Sequence, residues 1–411
     1  MSKVNFMAKK GNIEFRSGAI DRGATPYFHG RLDILTDFRK ILSYVQASRK
    51  GTIYLIYGAP GSGKSALLDE CKKIAIDEDW DSVYIGVGAL WDPEKMLNSL
   101  GHDHKYSGSE SVHQVGLKGI YTWMRKRTRN RRAVKSVLTD QGKPLLLLLD
   151  EAQALGNENV PPPDYESDML ELLELIHNGK IGRPIVLLTA GLGTTLPALE
   201  ALDISRFGEG NTIELGELSE KSARAVIHDW IVKDGMAKGD PTEWIDAIEE
   251  ETYRWPRHVH SYAIRASEYL KENGGIMTSK GLMEVMEKGM KGRIQYYRQR
   301  VKSFYVDEVK HVAEAISEYP AGVAFDRLDI LSFLSKIYGE AEAKNLFDRL
   351  LEKGVIAVKG EDGYCVPLPS FHTWLVDAYV KGNNTSKESH GDRNDLPAKS
   401  KQELIPPQKR R

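Results

Sequence analysis

Between an apolar, β-branched run, Thr52-Ile53-Tyr54-Leu55-Ile56-Tyr57, and the helix-forming Ala66-Leu67-Leu68-Asp69-Glu70 stands the octet Gly58-Ala59-Pro60-Gly61-Ser62-Gly63-Lys64-Ser65. No other stretch limits the fold of this chain as severely. Glycines at this spacing let consecutive backbone N–H groups turn inward at a helix N-terminus, where the helix dipole adds partial positive charge. Strand, loop and helix in that order make a cradle for phosphates. The loop from Gly58 through Ala66 is expected to wrap the phosphate chain of a nucleotide. Lys64 then reaches the β- and γ-phosphates, and Ser65 ligates Mg2+ through its hydroxyl.

A second anchor lies downstream in Leu145-Leu146-Leu147-Leu148-Leu149-Asp150-Glu151. Five consecutive leucines fit a strand buried on both faces of a parallel sheet, with two carboxylates at its C-terminal end. In a doubly wound sheet the phosphate loop occupies that same edge. Asp150 is therefore expected to hold Mg2+, directly or through water, and Glu151 to orient and deprotonate an attacking water. Two carboxylates capping a following helix are the alternative for an isolated pair.

Further strands are predicted at Ser82-Val83-Tyr84-Ile85-Gly86-Val87-Gly88, at 184–191 and at 212–215, which gives an α/β core with a parallel sheet. Thr189, near the end of the strand over 184–191, is a candidate sensor of the γ-phosphate or of the lytic water; an ordinary strand-ending hydroxyl is the alternative. Arg206 falls between the fourth and fifth strands, where it can reach a neighbouring subunit's γ-phosphate or form a local salt bridge.

Composition narrows the remaining possibilities. The 411 residues carry 57 basic and 58 acidic side chains, a net charge of -1, so nucleic-acid binding must come from local clustering. One cluster stands out: Arg125, Lys126, Arg127, Arg129, Arg131, Arg132 and Lys135, with no acid before Asp140. It is a candidate contact to DNA phosphates, or else a solvated helix face or a contact to an acidic neighbouring subunit. Two distant cysteines, Cys71 and Cys365, argue against a disulfide scaffold or a zinc site. His102-Asp103-His104 has no further ligands nearby and is read as a solvated loop. With no apolar run long enough to span a bilayer and no signal-like segment, no membrane is expected and the cytoplasm is the default location.

Past Leu218 the periodicity is helical throughout. Helices are predicted from Ser219, from Pro241 and from Arg254-Trp255-Pro256-Arg257, where proline presets the first turn. Arg257 can project from this helical lid onto the nucleotide. A basic connecting segment spans 278–303. Three helices then precede two short strands around Gly360-Glu361-Asp362-Gly363, the order of a winged helix-turn-helix. The expected domains are a flexible arm over 1–22, a nucleotide-binding core over 23–216, a lid and connecting helix over 217–300, a winged helix over 301–381 and a disordered tail over 382–411.

These motifs resemble an AAA+ P-loop ATPase of the replication-initiator branch, over roughly residues 25 to 380. Phe28-His29-Gly30-Arg31 stands where AAA+ proteins carry a Phe-x-Gly-Arg stretch near the adenine. The resemblance implies ATP and Mg2+ as cofactors, held by Lys64, Ser65 and Asp150, with Glu151 as catalytic base, Thr189 as first sensor and Arg257 as second. It departs from the family where Arg254 and Trp255 occupy the place of a glycine before the Pro-Arg pair. It implies ATP hydrolysis coupled to a conformational or assembly switch, acting on DNA and in a homo-oligomer. A signalling or defence-associated ATPase with a protein partner, and a transposition regulator forming filaments on DNA, are the alternatives.

Overall fold

The computed structural model describes residues 26–101, 117–139, 142–156, 166–177, 182–200, 211–359 and 363–382. Helix α1 (Leu32–Ser48) leads into β1 (Gly51–Gly58), α2 (Lys64–Asp77), β2 (Asp81–Ile85), α3 (Pro93–Ser99) and α4 (Leu117–Thr139). The core continues through β3 (Leu145–Leu149), α5 (Glu166–His177), β4 (Ile185–Gly191), α6 (Thr195–Glu200) and β5 (Thr212–Leu215). The five strands form one parallel sheet in the order β2-β3-β4-β1-β5.

The leucine run explains why both faces of this sheet are covered. Leu145, Leu147 and Leu149 pack on one side with Ile53, Leu55, Leu187 and the apolar stripe of α4 and α5. Leu146 and Leu148 pack on the other with Ile56, Leu188 and the buried faces of α1 and α2. The period of two thus turns one continuous apolar run into two cores. β2 stops at Ile85, short of the predicted Gly88, because its partner among the described residues, β3, ends at the opposing Leu149. Val87–Ala89 coils into a 3-10 turn instead.

Ser219 caps α7 (Glu220–His228), its Oγ accepting from the Ser222 N–H at 3.3 Å. The predicted single helix then widens into a π turn over Asp229–Asp234. Helices α8 (Thr242–Thr252), α9 (Pro256–Glu272) and α10 (Ser279–Val301) follow, so the basic connecting segment is one long helix. Val226, Trp244, Val259, Tyr262 and Leu270 are among the residues that give this lid its own core.

The C-terminal elements are α11 (Val306–Ile316), α12 (Arg327–Tyr338), α13 (Glu340–Glu352), β6 (Ala357–Lys359), β7 (Gly363–Cys365) and α14 (Pro369–Tyr379). β6 and β7 pair antiparallel, and Phe325 adds a bridge to Tyr364. Their core, centred on Val312, Leu334, Phe347, Phe371 and Leu375, extends to Trp255, Tyr296 and Tyr297. The C-terminal unit is therefore packed onto α10 and the start of α9.

Both cysteines are buried and free. Among the described residues no helix is long and apolar enough to cross a membrane. The arm over 1–22, His102-Asp103-His104, Arg206, the turn over 360–362 and residues 383–411 of the tail lie outside the described residues, as do the side chains of Arg125, Lys126 and Arg127.

Candidate nucleotide site

β1 delivers the glycine loop to the C-terminal edge of the sheet. Gly61 and Gly63 take φ of +82° and +93°, a left-handed backbone that lets the loop turn into α2. At Gly61 there is also no room for a side chain, since a Cβ would lie 3.0 Å from Arg257 Cβ and from Trp255 Nε1. Lys64 folds back over the loop, its Nζ donating to the carbonyls of Gly58 at 2.8 Å and Ala59 at 3.0 Å. Burial pulls its pKa down to about 8, against the pull of Asp150 and Glu151 and with help from Arg300.

β3 brings the carboxylates to the same edge, with β4 between it and β1. Ser65 Oγ donates to Asp150 Oδ2 at 2.6 Å although 85 positions separate the two residues. The other oxygen of Asp150 accepts from the Glu151 N–H at 2.9 Å. Glu151 has a φ of +57°, uncommon for a residue with a side chain. Its carboxylate accepts from the side-chain amide of Gln153, whose oxygen in turn accepts from the Leu192 N–H at 3.2 Å. Gln153 thus ties the carboxylate to the chain just past β4.

Thr189 does not join this group. It is 1% exposed, and its hydroxyl donates at 2.9 Å to the carbonyl of Tyr54 on the neighbouring strand. Two residues before the end of β4, its hydroxyl is turned onto the neighbouring strand. Gln153 is the polar side chain that lines the cavity there. Its signal in the sequence was its place two residues after Glu151.

From the lid, Arg257 lies against the glycine loop. Its backbone N–H donates to the Gly61 carbonyl at 3.2 Å, and its guanidinium lies 4.2 Å from the ring centre of Tyr296. Trp255, in the place of the family's glycine, is 5% exposed and packs where Gly61 leaves room, as part of the C-terminal core. Tyr296 donates from its hydroxyl to the Pro60 carbonyl at 3.1 Å.

Together these groups enclose a cavity of about 780 Å3, lined by the glycine loop, Asp150, Glu151, the stretch from Tyr27 to His29, and residues of α7, α9 and α10. Several polar atoms on or beside it are buried without a hydrogen-bond partner: Ser62 Oγ, Trp255 Nε1, both ring nitrogens of His258, and His260 Nε2. Burial holds His258 at about 3 and His260 at about 4, so both rings are neutral at ordinary pH. The place of the two histidines beside the cavity follows from the fold of α9.

Residues 47–192 match the family model described as AAA domain. Glycine loop, acidic strand end and 51432-type strand order define the class: an AAA+ P-loop core on a parallel sheet. Within that class the fold resembles the Aeropyrum pernix ORC2 protein. In its ADPNP-ADP complexes that protein is 13% identical, with a TM-score of 0.54, over 87% of this chain and 96% of that one. In its ADP form the values are 14%, 0.55, 86% and 96%. The chain thus carries an AAA-type domain over residues 47–192 and shares its overall fold with the ORC2 protein. No curated protein matches the sequence.

Proposed function

We propose that the chain binds Mg-ATP and hydrolyses it to ADP and phosphate, using the cycle as a conformational and assembly switch. The observation that carries this reading is the meeting of Ser65 and Asp150, 2.6 Å apart, beside the glycine loop and Glu151. A hydroxyl and a carboxylate are the hard oxygen donors that Mg2+ takes when phosphates and water complete its shell. Bound there, Mg2+ would neutralise charge on the phosphates. The loop N–H groups from Gly58 to Ala66 hold the phosphate chain, and Lys64 exchanges its two carbonyl partners for phosphate oxygens. Glu151, steered by Gln153, accepts the proton of the attacking water. The ADPNP and ADP in the ORC2 structures support the choice of nucleotide. Glu151→Gln is expected to keep ATP affinity and lose hydrolysis by at least about 100-fold in a phosphate-release assay; normal turnover would contradict the role of Glu151.

For DNA, the supporting element is α4. Val134 and Leu138 turn one face into the core, while Arg129 and Arg132 are exposed. Arg131 pairs with Glu171 of α5, and Lys135 lies 3.8 Å from the same carboxylate. The basic run of α4 is the proposed contact to DNA phosphates, with the winged-helix unit as a second contact.

A protein partner is the second reading, favoured by the charges of α13, the helix that would enter the groove. Its Arg349 pairs with Glu308 at 3.0 Å and its Asp348 with Arg327 at 2.9 Å, so the arginine is spent inside the unit. Absent DNA binding together with a captured protein would decide for this reading.

A further inference from the structure

The C-terminal unit is seated on the glycine loop itself. Gly354, in the turn after α13, has a φ of +65°, and a Cβ there would meet Pro60 Cγ at 2.4 Å. Only glycine allows so close an approach in that backbone conformation. The residue before it, Lys353, and Arg300 in the last turn of α10 both line the nucleotide cavity. Arg300 Nη1 donates to the Lys353 carbonyl at 3.3 Å, and its guanidinium lies 4.9 Å from the ring centre of Tyr296. The same ring carries Arg257 at 4.2 Å and is tied through its hydroxyl to Pro60. Two guanidinium groups therefore converge on one aromatic ring at the mouth of the loop.

Like charges brought together in this way repel, and the ring recovers only part of that cost. Arg300 also bears on Lys64, helping to lower its affinity for a proton. Among the described residues no carboxylate is paired with Arg300, and its side chain donates to a carbonyl, which leaves most of its N–H donors for a ligand. Lys353 is paired with Glu352 at 3.0 Å, but Lys64, Arg257 and Arg300 lie on the lining of a single cavity, an arrangement that a polyphosphate would relieve.

We propose that Arg300 contacts the terminal phosphate of ATP in cis, from the helix that carries the C-terminal unit. This rests on the ATP-binding reading above and adds to it a physical link: loss of the γ-phosphate frees Arg300, and with it the seat of Lys353 and Gly354 on the loop. The position of the C-terminal unit then reports which nucleotide is bound.

The test compares ATP and ADP affinities, each with Mg2+, for the full chain and for Arg300→Gln and Arg300→Lys, with thermal unfolding to confirm that each variant is folded. Removing a charge-assisted phosphate contact should weaken ATP by about 10- to 100-fold and leave ADP within about twofold; Arg300→Lys should recover part of the loss. Tyr296→Phe, which deletes only the bond to Pro60, serves as a comparison and should weaken both nucleotides alike. If the wild-type chain binds both nucleotides and Arg300→Gln keeps the wild-type preference for ATP, the inference is overturned alone. If the wild-type chain binds neither, it falls together with the nucleotide reading.

Discussion

Ser65 Oγ and Asp150 Oδ2 are 2.6 Å apart across a gap of 85 residues, bridged in space by a single strand, β4. The contact joins the helix end of the glycine loop to the C-terminal end of the leucine strand. It sets side by side the two oxygens that the proposed Mg2+ would take, with phosphates to supply the rest.

Ser65→Ala should expose this relationship. It removes one ligand and one hydrogen bond while leaving the loop backbone intact. The expected result is an ATP affinity that no longer improves on adding Mg2+, a loss of about tenfold relative to wild type in Mg2+ and little change in EDTA. Titration of both proteins with and without metal measures it.

Lys64 gives a pH dependence with a definite sign. Its pKa in the free protein is lowered to about 8, chiefly by burial, so near pH 8 a substantial fraction is neutral. Phosphates favour the charged form, so binding at that pH should take up about half a proton. Affinity should be flat below about pH 7 and fall by up to about tenfold per unit above pH 8. Calorimetric titrations in buffers of different ionisation enthalpy check the proton uptake directly.

The glycine loop and the Asp150-Glu151 pair were legible in the sequence because each is a local pattern whose residue types have few other uses. The leucine run likewise announced a strand buried on both faces. The strand carrying Thr189 was legible too, but the turn of its hydroxyl onto the Tyr54 carbonyl depends on which strand lies beside β4, which no local pattern fixes. Tyr296 and Arg300 were invisible as site residues for a different reason. Tyr296 reaches Pro60 from 236 positions away, and the basic segment that holds both residues read only as a connector. The close seat of Gly354 on Pro60 is a tertiary fact with no sequence signature beyond a helix-ending glycine.

On α4 Arg131 is drawn to the carboxylate of Glu171, while Arg132 is exposed. Replacing Arg132 with alanine should weaken duplex DNA binding and flatten the plot of log affinity against log salt by about 1. Arg131→Ala should leave that slope nearly unchanged and cost less than about 1 kcal/mol of stability, the worth of an exposed pair with Glu171. Filter binding over a salt series, with urea unfolding of the same proteins, distinguishes the two effects.

The central claim is that the glycine loop and the acidic strand end form one Mg-ATP site, and calorimetric titration of Mg-ATP into the wild-type chain and into Lys64→Ala tests it most directly. The account predicts one site per wild-type chain and an affinity at least about tenfold weaker in the variant. Equal affinity in the two proteins, or no heat of binding from a folded wild-type chain, would contradict it.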